Sequence, residues 1–137
     1  MLTDSGPLVA LLDSSDQHHS LCTAALRNLR PPMLVSWSVL TEASHLLRRT
    51  PTGPARLFEA VTRGLIRIVP LDESDVPRIR ELMVKYTDLP MDLADATLVR
   101  IAERDGHRRI FTTDRRHFEV YRLKSPGRGR EKFAIVP

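Results

Sequence analysis

A chain of 137 residues, with 42% hydrophobic and 28% charged residues, has the size and composition of one ordinary domain with a single buried core. Cys22 is the only cysteine, which excludes an internal disulfide. No stretch reaches the ~20 apolar residues of a membrane span, and no N-terminal run resembles a signal peptide. We therefore expect one domain, residues 1–137, in the cytoplasm.

The net charge of +4 is unevenly distributed along the chain. Residues 108–132 contain nine Lys or Arg and three Asp or Glu, a net +6, so the remainder carries −2. A basic C-terminal quarter beside an acidic body indicates a polyanionic partner such as a nucleic acid. A solvated surface without a ligand would show the same charge run.

Hydrophobic periodicity and turn residues predict strands that alternate with helices. The predicted strands are residues 1–3, 33–36, 65–70, 109–113 and 133–136. The predicted helices are residues 8–12, 16–29, 38–49, 52–64, 72–86, a segment between Pro90 and Gly106, and a short 115–121. Residues 5–7 are predicted to break the chain, and residues 125–130 to form a flexible basic loop. Such alternation predicts an α/β fold, a mostly parallel sheet of four to five strands with helices on both faces.

Apolar spacing also predicts which side chains face the core. The second helix is expected to bury one face, made of Leu21, Ala24, Ala25 and Leu26. Cys22 falls among them and is expected to be a small core residue. Ser38 is the predicted cap of the third helix. Trp37 and Phe111 are expected to be core aromatics rather than platforms on which bases stack.

Four or five acidic residues are predicted to meet at one edge of the sheet. Asp4 and Asp114 each follow a strand directly, and Glu42 lies in a helix that faces the same edge. Asp92 and Asp95 are three residues apart and share one face of a helical first turn. Because ligands of open α/β sheets bind beyond the carboxyl ends of the strands, these carboxylates predict a site there. Each acid taken alone is equally typical of a helix cap or of a charge near the helix dipole.

A cluster of carboxylates has a chemical consequence. The charges repel one another and resist losing water, so either some take up protons or a cation binds among them. An all-oxygen donor set without Cys or His favours Mg²⁺ or Mn²⁺ over zinc. Such a metal lowers the pKa of a bound water and polarises a phosphodiester. Ser5 and Thr113 adjoin the acids, and their hydroxyls are candidates to orient a carboxylate or to make turn hydrogen bonds.

Four short motifs resemble, in order, those of the PIN domain family. They are Leu2-Thr3-Asp4-Ser5-Gly6-Pro7-Leu8, Leu40-Thr41-Glu42-Ala43, Asp95-Ala96 followed by Leu98, Ile101 and Ala102, and Phe111-Thr112-Thr113-Asp114-Arg115-Arg116-His117-Phe118. The resemblance extends to the closing Phe133-Ala134-Ile135-Val136-Pro137 and is strongest to VapC-type toxins of bacterial toxin–antitoxin pairs. It implies a PIN-like three-layer sandwich.

The same resemblance implies an activity and roles for the acids. It implies a Mg²⁺- or Mn²⁺-dependent endoribonuclease that cuts structured RNA, a tRNA or a ribosomal RNA loop, by metal-assisted hydrolysis. Asp4 and Asp95 are the implied primary metal ligands. Glu42 and Asp114 complete the catalytic set, binding metal through water or positioning the attacking water. Asp92 is an additional acid that replaces or assists one of the others.

The resemblance further implies a homodimer and a cognate VapB-like antitoxin that blocks the cleft. The basic residues predicted to contact RNA are Arg115, Arg116, Arg128 and Arg130. Three alternatives stay open: a PIN-type nuclease on DNA, a phosphorelay receiver module and a non-catalytic binding module. A receiver would need an acidic pair after the first strand, where this chain has Asp4 followed by Ser5 and Gly6.

Overall fold

Short strands alternate with helices in the computed structural model, which describes residues 1–127 and 129–137. Its strands are β1 (Leu2–Thr3), β2 (Met33–Val35), β3 (Ile66–Ile68), β4 (Arg109–Phe111), β5 (Leu123–Ser125), β6 (Gly129–Glu131) and β7 (Ala134–Val136). Its α-helices are α1 (Ser5–Leu12), α2 (His19–Leu26), α3 (Trp37–Leu46), α4 (Gly53–Thr62), α5 (Val76–Lys85), α6 (Leu93–Asp105) and α7 (Arg115–Phe118). None of these helices is both long enough and apolar enough to cross a membrane.

Five strands form one parallel sheet in the order β3-β2-β1-β4-β7. At its centre, Leu2 of β1 lies opposite Leu34 of β2 and Ile110 of β4. The chain builds the sheet outward from β1 to β3 and then returns to place β4 on the other side of β1. This reversal leaves a crevice between the carboxyl ends of β1 and β4, the position where such sheets bind ligands. The predicted parallel sheet is confirmed.

The hydrophobic core lies on both faces of the sheet. Ile110 and Phe111 are adjacent in β4, so their side chains point to opposite faces, and both are fully buried. Ile110 belongs to a large cluster with buried residues of α3, α5 and α6. Phe111 belongs to a smaller cluster with Ala10 of α1 and Cys22 of α2. Helices therefore cover both faces, which confirms the predicted α/β architecture.

Two helices begin earlier than the sequence predicts. The predicted break at residues 5–7 is the first turn of α1, because the Asp4 side chain caps it and a proline is compatible with a first turn. In α3 the cap is Ser36 rather than Ser38. The Ser36 hydroxyl accepts a hydrogen bond from the Val39 N–H at 3.3 Å.

The buried face of α2 also differs from the prediction. The helix begins later and ends earlier than expected. Leu21 and Leu26, which were expected in the core, are 51% and 37% exposed, and Ala24 is exposed as well. Cys22 is fully buried, as expected for a small core residue, and packs in the cluster around Phe111.

Trp37 is a second departure from the predicted core. It is the first residue of α3 and is 63% exposed, whereas Phe111 is fully buried as expected. Helical side chains tilt toward the N-terminus, so a side chain at the first position extends past the end of the helix. The Trp37 ring therefore lies outside the buried layer to which Val39 and Leu40 belong.

Residues 125–130 contain strand structure where a flexible loop is predicted. Ser125 pairs with Gly129 in an antiparallel hairpin formed by β5 and β6. Gly127 and Gly129 have φ values of +75° and +74°, a conformation that favours glycine and allows the chain to reverse. Arg128 lies outside the described residues.

A buried ion pair fixes α6, the helix that carries Asp95. Asp75, which is 1% exposed, accepts hydrogen bonds from Arg100 Nε at 2.7 Å and from Arg104 Nη1 at 3.1 Å. Burial alone would raise the pKa of Asp75, but hydrogen bonds from Arg100 and the Asp72 N–H hold it below its usual range. Both arginines lie on α6, so Asp75 sets how α6 packs beside α5.

We expect Asp75→Asn to lower the free energy of unfolding by about 1–3 kcal/mol at pH 7, because two guanidinium groups lose a buried counter-charge. The folded-state pKa of Asp75 is depressed, so this contribution should be present at neutral pH and fade as the pH falls through that pKa. Urea unfolding at several pH values measures it. Glu59→Gln removes an exposed partner of Arg63 and should change stability little; equal losses in both variants would contradict the expectation.

Candidate active site

Asp4 lies at the carboxyl end of β1 and is 6% exposed. Its N–H donates to the Phe111 carbonyl at 2.9 Å, which continues the pairing of β1 with β4. One carboxylate oxygen accepts from the Ser5 N–H at 2.7 Å, and the other accepts from the Thr112 hydroxyl at 2.8 Å. The side chain thus caps α1 and at the same time bridges to the end of β4.

Thr112 connects two of the predicted acids. Its hydroxyl donates to Asp4 and accepts from the Asp114 N–H at 3.0 Å. The sequence prediction named Thr113 for this role, but no hydrogen bond joins Thr113 to the acids within residues 1–127 and 129–137. The Thr113 hydroxyl instead lies against Gly6, where any Cβ would collide with it. A side chain at position 6 would therefore force the Thr113 hydroxyl to move away from α1.

Asp92 and Asp95 stand at the start of α6. Asp92 is the N-cap, and its carboxylate accepts from the Asp95 N–H at 2.8 Å. Asp95 is 9% exposed, and its Oδ2 accepts from the hydroxyl of Tyr121 at 2.7 Å. Tyr121 is fully buried. Sequence reasoning missed Tyr121, and the only local signal for it is an aromatic residue soon after the fourth motif.

Glu42 and Asp114 complete the set. Glu42 is half-buried on α3 and, with Asp92, lines a cleft of about 670 Å³ at the N-terminus of α6, beside the exposed Trp37. Asp114 is the N-cap of α7, where its Oδ1 accepts from the His117 N–H at 3.2 Å. The His117 ring also contacts Asp114, through Nδ1 and Oδ2.

The electrostatics of Asp4 show that it lies near other acids. Burial raises the pKa of Asp4 to about 6, and the charges of Glu42 and Asp92 add to this effect. Hydrogen bonds from Thr112 and the Ser5 N–H oppose the rise. Burial and the Asp92 charge also raise the pKa of Glu42, while a hydrogen bond from the Ser5 side chain lowers it.

Asp95 is perturbed more strongly. Burial raises the pKa of Asp95 to about 8, and the hydrogen bond from Tyr121 only partly opposes this. Three neighbouring charges raise it further, those of Asp4, Asp92 and Asp114. The five carboxylates therefore act on one another and form one acidic region where the sheet changes direction.

Comparison with known families identifies this arrangement. Residues 1–123 match the family model described as PIN domain. This chain belongs to the PIN domain family. The resemblance of its four motifs to that family is thereby confirmed, and the acidic residues Asp4, Glu42, Asp95 and Asp114 all fall within the matched segment.

Two of the relatives of this PIN domain are named as VapC proteins. Over 139 aligned residues, which cover 100% of both chains, it is 26% identical to Ribonuclease VapC26 of Mycobacterium tuberculosis. The crystal structure of Mycobacterium tuberculosis VapC20, described as a sarcin-ricin loop cleaving toxin, has a TM-score of 0.74 at 19% identity and covers 82% of this chain and 90% of its own. A toxin–antitoxin complex from Klebsiella pneumoniae has a TM-score of 0.65 at 18% identity, with 87% and 90% covered. These structural matches show the same fold.

The acidic region of this PIN domain is not a ready metal cage. Across the described part of the chain, no three His, Cys, Asp or Glu side chains converge closely enough to hold an ion. Asp4 and Asp95 turn toward the hydroxyls of Thr112 and Tyr121 instead. The donor set nevertheless suits a hard cation such as Mg²⁺ or Mn²⁺, because every carboxylate is an oxygen ligand.

The predicted RNA contacts lie in different places. Arg115 and Arg116 are exposed on α7, and Arg115 donates to the Pro137 carbonyl at 2.8 Å. Arg130 is exposed on β6 and lines a separate cavity of about 530 Å³ with Arg78 and Lys124. None of the five acids lines that cavity. The position of Arg128 falls outside what the structure describes.

We expect Asp95→Asn to stabilise the metal-free protein at alkaline pH. The folded-state pKa of about 8 exceeds the ordinary 3.8, so the ionised carboxyl destabilises the fold increasingly as the pH rises between these values. Asn still accepts from Tyr121 but carries no charge. Its gain should be about 1–3 kcal/mol at pH 8.5 with EDTA and should vanish toward pH 4.

Thermal unfolding of both proteins across this pH range measures the gain. Asp88→Asn makes the same chemical change at an exposed position and serves as the control. An Asp95→Asn protein no more stable than the parent at pH 8.5 would show that the carboxyl is not held in an unfavourable environment.

Proposed function

We propose that this PIN domain is a VapC-type toxin, an endoribonuclease that depends on Mg²⁺ or Mn²⁺. One observation carries the proposal: at the edge where the parallel sheet changes direction, burial and the charges of neighbouring acids raise the pKa values of Asp4, Glu42 and Asp95. Such a cluster is unfavourable by itself and becomes favourable when a divalent cation neutralises it. The names of the relatives, a ribonuclease and a loop-cleaving toxin, support RNA as the substrate.

Asp4 and Asp95 are the proposed primary ligands. They are the most buried of the five acids, at 6% and 9% exposed, and their hydrogen bonds to Thr112 and Tyr121 fix their positions. These two residues would hold the cation, whose chemistry would be to lower the pKa of a bound water and to polarise the scissile phosphate. The two side chains come from different elements, since Asp4 follows β1 and Asp95 lies in the first turn of α6.

Glu42, Asp92 and Asp114 are proposed to act around these ligands. Glu42 and Asp114 are more accessible, so each can accept a hydrogen bond from the attacking water and orient it toward phosphorus. Asp92 uses one oxygen to cap α6 and adds negative charge to the cleft. Ser5 supports Asp4 through its N–H, which donates to the Asp4 carboxylate at 2.7 Å.

The partners follow from the same comparison. We propose that the substrate is structured RNA, either a tRNA or a ribosomal RNA loop, because one neighbour is described as cleaving the sarcin-ricin loop. Another neighbour is described as a toxin–antitoxin complex, which supports a cognate VapB-like antitoxin for this chain. A homodimer is the proposed assembly.

DNA is the second candidate substrate, because phosphodiester chemistry at an acidic cluster does not itself distinguish the two polymers. The family match and the fold argue against a phosphorelay receiver module. Ser5 begins α1 at the position where a receiver needs a second acid. Comparing cleavage of a single-stranded DNA oligonucleotide with cleavage of an RNA of the same sequence distinguishes a DNA nuclease from an RNA nuclease.

We expect the purified protein to cleave RNA with Mg²⁺ or Mn²⁺ and to stop when EDTA is added. Asp4→Asn and Asp95→Asn should each lower the cleavage rate at least about 100-fold, because each removes a charged ligand while keeping the side-chain shape. Glu59→Gln, an exposed site on α4, is the matched control. Cleavage by Asp95→Asn at the parent's rate would refute the assignment of this ligand.

The same variants can be tested in a bacterium. Induced expression of the parent should arrest growth, whereas Asp4→Asn should not, and co-expression of the cognate antitoxin should restore growth. Mapping new RNA 5′ ends in the arrested culture would identify the target. Arrest by both proteins would mean that toxicity does not depend on the acidic site.

We expect Arg130→Ala, alone and with Arg128→Ala, to weaken RNA binding and to flatten its salt dependence. Each lost phosphate contact should reduce the slope of log K against log salt by about 1. Binding of a labelled RNA to the inactive Asp4→Asn protein at several salt concentrations measures the slope. Arg63→Ala removes an equal charge at the C-cap of α4 and should leave the slope unchanged. An unaltered slope in Arg130→Ala would assign Arg130 to a solvated surface.

A further inference from the structure

Tyr121 places its only polar atom against one of the proposed metal ligands. The residue is fully buried, and its hydroxyl donates to Asp95 Oδ2 at 2.7 Å. A buried phenol needs a hydrogen-bond partner, and backbone carbonyls would serve equally well in a purely structural role. Here the partner is the Asp95 carboxylate, whose own burial is unfavourable. The hydrogen bond therefore links the position of the Tyr121 ring to the acidic region.

The Tyr121 ring is held rigidly by its aromatic neighbours. Tyr86 packs edge-on to it, with ring centroids 5.0 Å apart and planes at 65°. Phe118 packs in the same way at 5.2 Å and 78°. Phe118 in turn contacts Phe133 at 5.7 Å. Edge-on contacts of this kind fix a ring in two directions, so the hydroxyl of Tyr121 cannot follow Asp95 if that side chain moves.

A second contact links Tyr121 to another acid. The ring of His117 stacks over that of Tyr121, with centroids 6.4 Å apart and planes at 25°. The Nδ1 atom of His117 contacts Asp114 Oδ2, and a carboxylate only accepts, so Nδ1 carries the proton. Two stacked rings thus hold two carboxylates, one at the start of α6 and one at the start of α7.

Asp95 retains one oxygen for another ligand. Its Oδ2 is bound by Tyr121, and no described residue donates a hydrogen bond to Oδ1. A carboxylate fixed through one oxygen can rotate little, so the direction of the other oxygen is set in advance. Groups that orient a metal ligand in this way are commonly worth a factor of 10 or more in metal affinity.

We propose that Tyr121 is a positioning residue that holds Asp95 so that Oδ1 faces the divalent cation. This inference rests on the proposed function, in which Asp95 is a metal ligand. Tyr121 does not touch the substrate or the scissile phosphate. It acts through Asp95, and the His117 ring stacked on it keeps Asp114 at a fixed separation from Asp95.

The test is Tyr121→Phe in the full chain, which keeps the packed ring and removes only the hydroxyl. The affinity for Mn²⁺, measured by calorimetry at pH 7.5, should fall about 10-fold. The Mn²⁺ concentration for half-maximal RNA cleavage should rise by the same factor, while kcat at saturating Mn²⁺ stays within about twofold. A purely structural role would lower stability without this selective change in metal affinity.

Tyr86→Phe is the matched control. It removes the hydroxyl of the neighbouring ring, which accepts from the Arg122 N–H at 2.9 Å and touches none of the acids. Mn²⁺ affinity should be unchanged in Tyr86→Phe. Adding Tyr121→Phe to Asp95→Asn should weaken Mn²⁺ binding no further than Asp95→Asn alone.

The outcomes separate this inference from the nuclease proposal. Equal Mn²⁺ affinity in Tyr121→Phe and the parent overturns the positioning role, as does an equal loss in Tyr86→Phe. A parent that binds Mn²⁺ but cleaves no RNA overturns the nuclease proposal while the Tyr121 comparison still stands. A parent that binds no Mn²⁺ overturns both.

Discussion

Buried carboxylates that are hydrogen-bonded to neutral hydroxyls, rather than paired with cationic side chains, are the constraint on which this structure depends. Asp4 is held by Thr112 and Asp95 by Tyr121. Asp75, equally buried, is instead held by arginine side chains and has a lowered pKa. Aspartate is therefore stabilised as an ion at Asp75, where arginine side chains bind it. At Asp4 and Asp95 no cationic side chain of the described residues provides this stabilisation.

Burying the carboxylates of Asp4 and Asp95 without a cationic partner from the described part of the chain destabilises the folded state, and the rest of the fold must offset this loss of stability. Burial raises the pKa of Asp95 to about 8, so at neutral pH the metal-free protein favours a proton on this carboxyl far more than an ordinary aspartate does. Binding a cation there would release that proton and remove the repulsion among the acids. A region that weakens the isolated fold and favours a ligand is typical of functional sites.

The order of the strands determines where this region lies. Because β1 and β4 are neighbours in the sheet, Asp4 and Asp114 lie near each other although 110 positions separate them in the chain. The start of α6 then closes the crevice, and the ion pairs of Asp75 with α6 hold that helix in place. The sheet, the aromatic cluster around Tyr121 and the ion pairs of Asp75 therefore all help to hold the carboxylate oxygens of the acidic region in position.

The sequence by itself determined the features that depend on local physics. Alternating apolar segments specify the parallel sheet. Acids close behind the strand ends, Asp4 one residue after β1 and Asp114 three residues after β4, specify which edge carries them. The cap position of Asp92 also follows from sequence, because an N-cap interacts with backbone only a few residues away. Membership of the PIN domain family also follows from the sequence, because the family model matches residues 1–123.

Only the tertiary structure decided which side chains support these acids. Thr112 and Thr113 are adjacent and chemically identical, and consecutive residues in extended chain face opposite directions, so the sequence could not say which one meets Asp4. Tyr121 and Asp95 are 26 positions apart, and no local pattern records a contact of that range. Trp37 was predicted to be buried because tryptophan is apolar, but exposure depends on whether another element covers the end of its helix.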